Sequence, residues 1–222
     1  MIKSLTLCGT ILNTFGLIAL RVIVRIFLIV ATLIAIPAQL ATAQSSKSMR
    51  VQVVDERGVP VRDAVVEFAG SRQYSGRITF PWRMAMAQRN QQFVPGTLII
   101  ARGSTVAFPN LDKVRHSVYS FSKAARFEID LYGRDQTRTQ TFPNSGSVAL
   151  GCNIHDAMRG YIRVVDTPFA GKTDANGYVT LSGMSDQSGK VTIWHPRLRA
   201  PGGELSKAVG AGGKHRIAVR LR

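Results

Sequence analysis

The sequence predicts an all-β protein, and three observations predict it. Short alternating or β-branched runs recur after residue 49, Gly, Pro and Asn punctuate them, and helical periodicity is almost absent. That pattern belongs to a β-sandwich or barrel. Of the 222 residues 45% are hydrophobic and 19% charged, the balance of a globular chain, which excludes disorder throughout.

The elements follow in order. Arg50 to Val54 and Ala64 to Phe68 are Val-rich runs flanking a turn at Glu56-Arg57-Gly58. Thr97 to Ala101, Thr105 to Phe108 and Ser117 to Phe121 follow as further strands rich in β-branched and aromatic residues. Thr139 to Phe142 and Ser147 to Cys152 enclose a turn at Asn144-Ser145-Gly146, and Gly160 to Val165 comes next. Tyr178 to Leu181 follows a turn at Asp174-Ala175-Asn176-Gly177, and Lys190 to Trp194 and His215 to Leu221 complete the set. Ala200-Pro201-Gly202-Gly203 and Gly210-Ala211-Gly212-Gly213 read as loose segments.

Residues 1–43 differ from the rest. Ile2 to Ala43 holds no acid and three bases, Lys3, Arg21 and Arg25. The apolar run Ile26 to Ile36 follows, then the small-x-small triplet Ala41-Thr42-Ala43. Together these read as a secretory signal cut after Ala43. The alternative is an uncleaved membrane anchor: Leu5 to Leu20 is a second apolar stretch, but Arg21 and Arg25 interrupt any run of the roughly 20 residues a spanning helix needs. Either way the remainder lies outside the cytoplasm.

Cleavage leaves 179 residues with 26 bases and 13 acids, a net charge of about +13. Export and the scatter of Lys and Arg argue against nucleic acid, leaving a soluble protein whose charge steers acidic partners. Cys8 falls in the signal, so Cys152 is left single in an oxidising compartment. An internal disulfide is impossible; an inert thiol, an intermolecular bridge and a metal thiolate remain.

The decisive stretch is Leu150-Gly151-Cys152-Asn153-Ile154-His155-Asp156-Ala157-Met158, which gives C-x2-H-x2-M at the end of an apolar strand. A copper electron-transfer centre needs two imidazoles and a thiolate in a trigonal plane with a weak axial thioether. The loop supplies three of these, and His116, 36 positions upstream of Cys152, is placed to supply the second imidazole. The candidate ligands are therefore His116, Cys152, His155 and Met158. Zinc also suits Cys and His, but has little use for the thioether of Met158. Asp112 and Asp156 flank the ligands; either can bond an imidazole, and the plainer expectation is a pair of solvated loop acids. Met84 and Met86, at alternate positions, are expected to face a core or an interface, Trp194-His195-Pro196 to pack a strand end, and His215 to lie on the surface. No order of residues defensible as catalytic is present, and no enzyme activity is expected.

These residues resemble the cupredoxins, amicyanin above all, with plastocyanin and pseudoazurin. Phe93-Val94-Pro95-Gly96-Thr97-Leu98 and Gly103-Ser104-Thr105-Val106 are similar to the family's first strands, and the likeness ends at Val165. "CNIHDAM" with "VYSFS" also looks like a bacterial group named methylamine utilisation proteins. The resemblance implies a Greek-key β-sandwich over 75–166 holding one copper ion that cycles between Cu(II) and Cu(I). It implies that His155 is the exposed doorway for electrons and Met158 the weak axial ligand that tunes potential. Ser117 stands where the family has an asparagine tying the ligand segments together, which implies a looser site or a substitute bond from Asn110. Asn110, Ser117 and Asp156 are thus the candidates for supporting the ligands.

Two outer segments, 44–74 and 167–222, flank that stretch. Val53 to Val66 and Lys172 to Leu181 resemble parts of a carboxypeptidase-regulatory-like sandwich, which would make the middle stretch an insertion; the alternative is extra strands around one barrel. The resemblance implies a periplasmic carrier of single electrons between protein partners with acidic docking surfaces, such as a c-type cytochrome or a dehydrogenase, with no small-molecule substrate. The rival functions are copper storage or delivery, and a cell-surface β module that binds no metal.

Overall fold

The computed structural model describes residues 46–185 and 188–222; the expected signal, its cut after Ala43 and Cys8 lie outside the described residues. The described residues from 46 onward form one compact unit. Among the described residues no helix is long and apolar enough to cross a membrane.

The chain is built from strands. The first are β1 (Lys47–Asp55), β2 (Val65–Gly70), β3 (Ala87–Arg89), β4 (Gln92–Val94), β5 (Thr97–Ala101) and β6 (Thr105–Pro109). Then come β7 (His116–Ser122), β8 (Ala125–Tyr132), β9 (Thr137–Thr141), β10 (Gly146–Gly151) and β11 (Arg159–Val165). The last are β12 (Ala170–Lys172), β13 (Tyr178–Met184), β14 (Ser188–Trp194), β15 (Glu204–Gly210) and β16 (Gly213–Val219).

Two sets of sheets enclose two cores. A five-stranded sheet runs β5-β11-β10-β7-β8, with β5 and β11 parallel, and the ribbons β6-β9 and β3-β4 lie beside it. Between them pack Phe93, Leu98, Ile100, Val106, Phe108, Val118, Phe142, Val148, Leu150, Ile162 and Val164, and Cys152 and Met158 belong to this same cluster. Each such fully buried side chain contributes about 1.5–3 kcal/mol before chain entropy is subtracted. The ligand loop is therefore anchored in the core.

The second core lies between the sheets β13-β1-β16 and β12-β2-β14-β15 and holds Met49, Val51, Val53, Val66, Phe68, Leu181, Val191, Ile193 and Ile217. Residues before β3 and after β11 make it together. A smaller cluster of Val65, Ile99, Val165 and Trp194 joins the sets. This explains why Leu98 to Ala101 reads as an unbroken apolar run: Leu98 and Ile100 face one core while Ile99 faces the joining cluster.

All eleven strands expected from the runs are present, with ends shifted by up to three residues. β3, β4, β8, β12 and β15 were not expected. β8 alternates Arg126, Glu128 and Asp130, all exposed, with Phe127 and Ile129 against the core, so charge masked its period of two. The segments expected to be loose are structured: Pro201–Gly203 forms one 3-10 turn, and Gly212 and Gly213, at φ of 94° and 78°, make the tight link from β15 to β16. Met86 and Trp194 are buried as expected. His215 is half-buried rather than superficial, its Nε2 at 2.9 Å from the Gly212 carbonyl.

Candidate metal centre

His116 opens β7 and Cys152 follows β10 directly. The two strands are antiparallel neighbours with Gly151 opposite Tyr119, so the start of one meets the end of the other. Gly151 also pairs with Arg159 of β11, which closes residues 152–158 into a loop at that same end. Within the loop the Met158 amide donates to the His155 carbonyl at 2.9 Å. Sheet register and one hairpin loop thus gather the motif and its distant histidine.

One ligand atom each from His116, Cys152 and His155 lies within 4.8 Å of the others. Cys152 Sγ is 3.8 Å from Nδ1 of His116 and 3.8 Å from Nδ1 of His155. With bonds of about 2.3 Å to sulfur and about 2.05 Å to nitrogen, a trigonal ion would hold sulfur and nitrogen about 3.8 Å apart. Both sulfur–nitrogen edges match that figure, and the three side chains together could hold a metal ion. Among the described residues no other three such side chains gather this closely. Cys152 is a free, buried thiol, His116 is fully buried, and His155 is half-exposed. The imidazole rings lie 4.8 Å apart, tilted by 54°. Met158 is 1% exposed and packs in the cluster that contains Cys152.

Asp112 corrects an expectation. It is not a solvated loop acid: its side chain is 11% exposed, and Oδ2 lies 2.8 Å from His116 Nε2. Its oxygens also accept the amides of Asn90 at 2.6 Å and Gln91 at 2.9 Å. Burial pushes this carboxyl up, but the Gln91 amide, His116 and the Asn90 amide outweigh it and hold it below the ordinary carboxylate range. Asp156 is the solvated acid: it is exposed, and among the described residues no hydrogen bond ties it to a ligand.

Ser117 and Asn110 exchange their expected parts. The Ser117 hydroxyl lies 3.7 Å from Cys152 Sγ, as a donor, and accepts the Asn153 amide at 2.9 Å. Serine itself ties the ligand segments. Asn110 makes no bond to the Cys152 segment; buried, it braces its own loop, donating to the carbonyls of Val114 at 2.9 Å and Tyr132 at 3.0 Å and accepting the Asp112 amide at 2.9 Å. Gln88, unsuspected from sequence, is buried on β3 with Nε2 at 3.4 Å from the Ser117 carbonyl, while its main-chain carbonyl accepts the Leu111 amide at 2.9 Å. Tyr132 closes the floor by donating to the Phe108 carbonyl at 2.9 Å, and burial pushes its phenol well above the ordinary range.

No family model matches the chain, and no curated protein matches it. Among solved structures it is similar to the copper-containing nitrite reductase of Thermus scotoductus, at 24% identity over 43% of this chain and 25% of that one, with a TM-score of 0.37. It is also similar to a reduced amicyanin variant, at 17% identity over 45% of this chain and 98% of that one, with a TM-score of 0.36. An oxidised amicyanin variant gives 16% identity over the same shares and a TM-score of 0.36. The chain spans about a quarter of the nitrite reductase's length. The strands and their pairing make the fold all-β.

Proposed function

We propose that this protein is an exported, mononuclear blue-copper protein of cupredoxin type that shuttles single electrons between protein partners in the periplasm. The observation that carries the reading is the approach of one sulfur to two ring nitrogens at 3.8 Å each, on a β framework that also buries Met158. Two imidazoles, a thiolate and a thioether are the donor set of copper electron-transfer centres, and the thioether favours copper over zinc. His116, Cys152 and His155 would hold the ion, with Met158 as a weak fourth donor; bound there, it supplies a one-electron change of charge.

The chain's own residues do the rest. Strand pairing and the Ser117 bridge keep sulfur and nitrogens in place through that change. Core packing around Cys152 excludes water, while half-exposed His155, beside exposed Ile154, leaves one ligand edge open to a partner. A net charge of about +13 on residues 44–222 suits partners with acidic surfaces, a c-type cytochrome or a dehydrogenase among them.

Visible and paramagnetic-resonance spectra of the protein titrated with Cu(II) test this, beside a Cys152→Ser variant. The expected result is an intense thiolate-to-copper band in the parent that the variant lacks, and a reversible one-electron couple without copper loss. The same spectrum in both proteins would overturn the reading, and ready transfer of Cu(I) to an acceptor would replace it with copper delivery.

A further inference from the structure

The backbone is shaped around Asp112 in a way a passing surface acid does not require. β3 and β4 are joined by two residues, Asn90 and Gln91, with φ of 54° and 56°. Positive φ at both central residues is the geometry of a type I′ turn, which usually carries glycine. Gln91 has no glycine's freedom, and such conformations persist where the surroundings over-determine them. Here the amides of Asn90 and Gln91 both point into the Asp112 carboxylate, and Asn110 Oδ1 holds the Asp112 amide from the other side. What that carboxylate presents in turn is an oxygen 2.8 Å from His116 Nε2, on a ring whose Nδ1 faces Cys152 Sγ.

We infer that Asp112 is a positioning residue for the centre: it holds the proton of His116 on Nε2, keeps Nδ1 free as a ligand, and makes that imidazole a stronger donor. The inference rests on the metal reading above. A carboxylate bonded to the far nitrogen of a ligating imidazole fixes its tautomer and orientation and raises its basicity. A stronger donor stabilises Cu(II) over Cu(I), so Asp112 sets the potential lower than a neutral partner would. The hairpin fixes the carboxylate, and the carboxylate fixes the ring.

Two readouts test it. The first needs no metal: nitrogen-15 spectra of the metal-free protein at neutral pH should show His116 protonated at Nε2 and bare at Nδ1, and Asp112→Asn should raise the share carrying its proton on Nδ1. The second compares copper-loaded Asp112→Asn with Asp156→Asn, which removes a nearby charge without touching a ligand. Asp112→Asn should weaken Cu(II) binding relative to Cu(I) about tenfold, a rise in potential of about 59 mV for one electron. Asp156→Asn should shift it far less. Equal shifts in the two variants, or a parent already protonated at Nδ1, overturn the inference. A protein that takes no copper removes the blue-copper reading instead, and the tautomer measurement then decides alone what Asp112 does to His116.

Discussion

The Ser117 hydroxyl joins the two segments that carry the ligands, lying 3.7 Å from Cys152 Sγ and accepting the Asn153 amide at 2.9 Å. Ser117→Ala therefore strands a part-buried amide and removes a donor from the sulfur. The expected cost is about 1–3 kcal/mol, read as a fall in thermal midpoint of about 2–4 °C per kcal/mol for a chain this size. In the copper-loaded protein the potential should fall, because a hydrogen bond to the thiolate weakens its donation to Cu(II). An unchanged midpoint and potential would remove Ser117 from the account.

Gly160 sits against the core just past Met158, and a methyl group there would meet Phe93 Cβ at 2.8 Å and its ring at 3.0 Å. Phe93 is 3% exposed, and its Cβ cannot swing aside as a side-chain tip can. Gly160→Ala should destabilise the protein by about 1–3 kcal/mol. Gly96→Ala, with nothing within 4 Å, is the matched control and should change little. Denaturant midpoints that fail to separate the pair would show that β4 and β11 pack more loosely than described.

Arg163 on β11 pairs with Glu67 on β2 and reaches Glu204 on β15 at 2.8 Å, and its side chain is 7% exposed. Arg163→Met leaves Glu67 without its cation. Removing one partner of a buried pair costs about 3–5 kcal/mol, and the partial exposure of Glu204 places this case near the lower end, about 3 kcal/mol. Adding Glu67→Gln to the same chain should recover part of the loss. A single variant as stable as the parent would mean that water already screens the pair.

Burial pushes the Glu67 carboxyl above its ordinary range; Arg163 pulls it down, and Glu204 and Asp166 push it up again. A folded pKa above the unfolded one gives stability that is full below the unfolded value, about 4.3 for a glutamate. That contribution is lost as pH rises through the higher folded value. Unfolding midpoints measured upward from about pH 4 should therefore decline less in Glu67→Gln than in the parent. Parallel curves would rule out Glu67 as the group responsible.

Sequence and structure agree where one residue's environment is set by its neighbours along the chain. Thr97 to Ala101 and Thr105 to Phe108 read as strands because β-branched and aromatic residues crowd them. Cys152, His155 and Met158 could be grouped because a seven-residue loop carries all three. Asp112 could not be assigned, because its partners are amides of a turn, Asn90-Gln91, whose side chains give no sign of positive φ. Ser117 looked like a weakened asparagine because the short distance to Asn153 exists only once β7 and β10 pair. β8 went unread because its outward face is charged, although Phe127 and Ile129 kept the inward period.

The most direct test is a crystal structure of the copper-loaded protein with the ion located by its anomalous scattering. The account predicts one ion bonded to Cys152 Sγ and to Nδ1 of both His116 and His155, with Met158 sulfur on its axis and Asp112 still on His116 Nε2. An ion bound elsewhere, at His195 or His215 for instance, with Cys152 left as an unligated thiol, would contradict it.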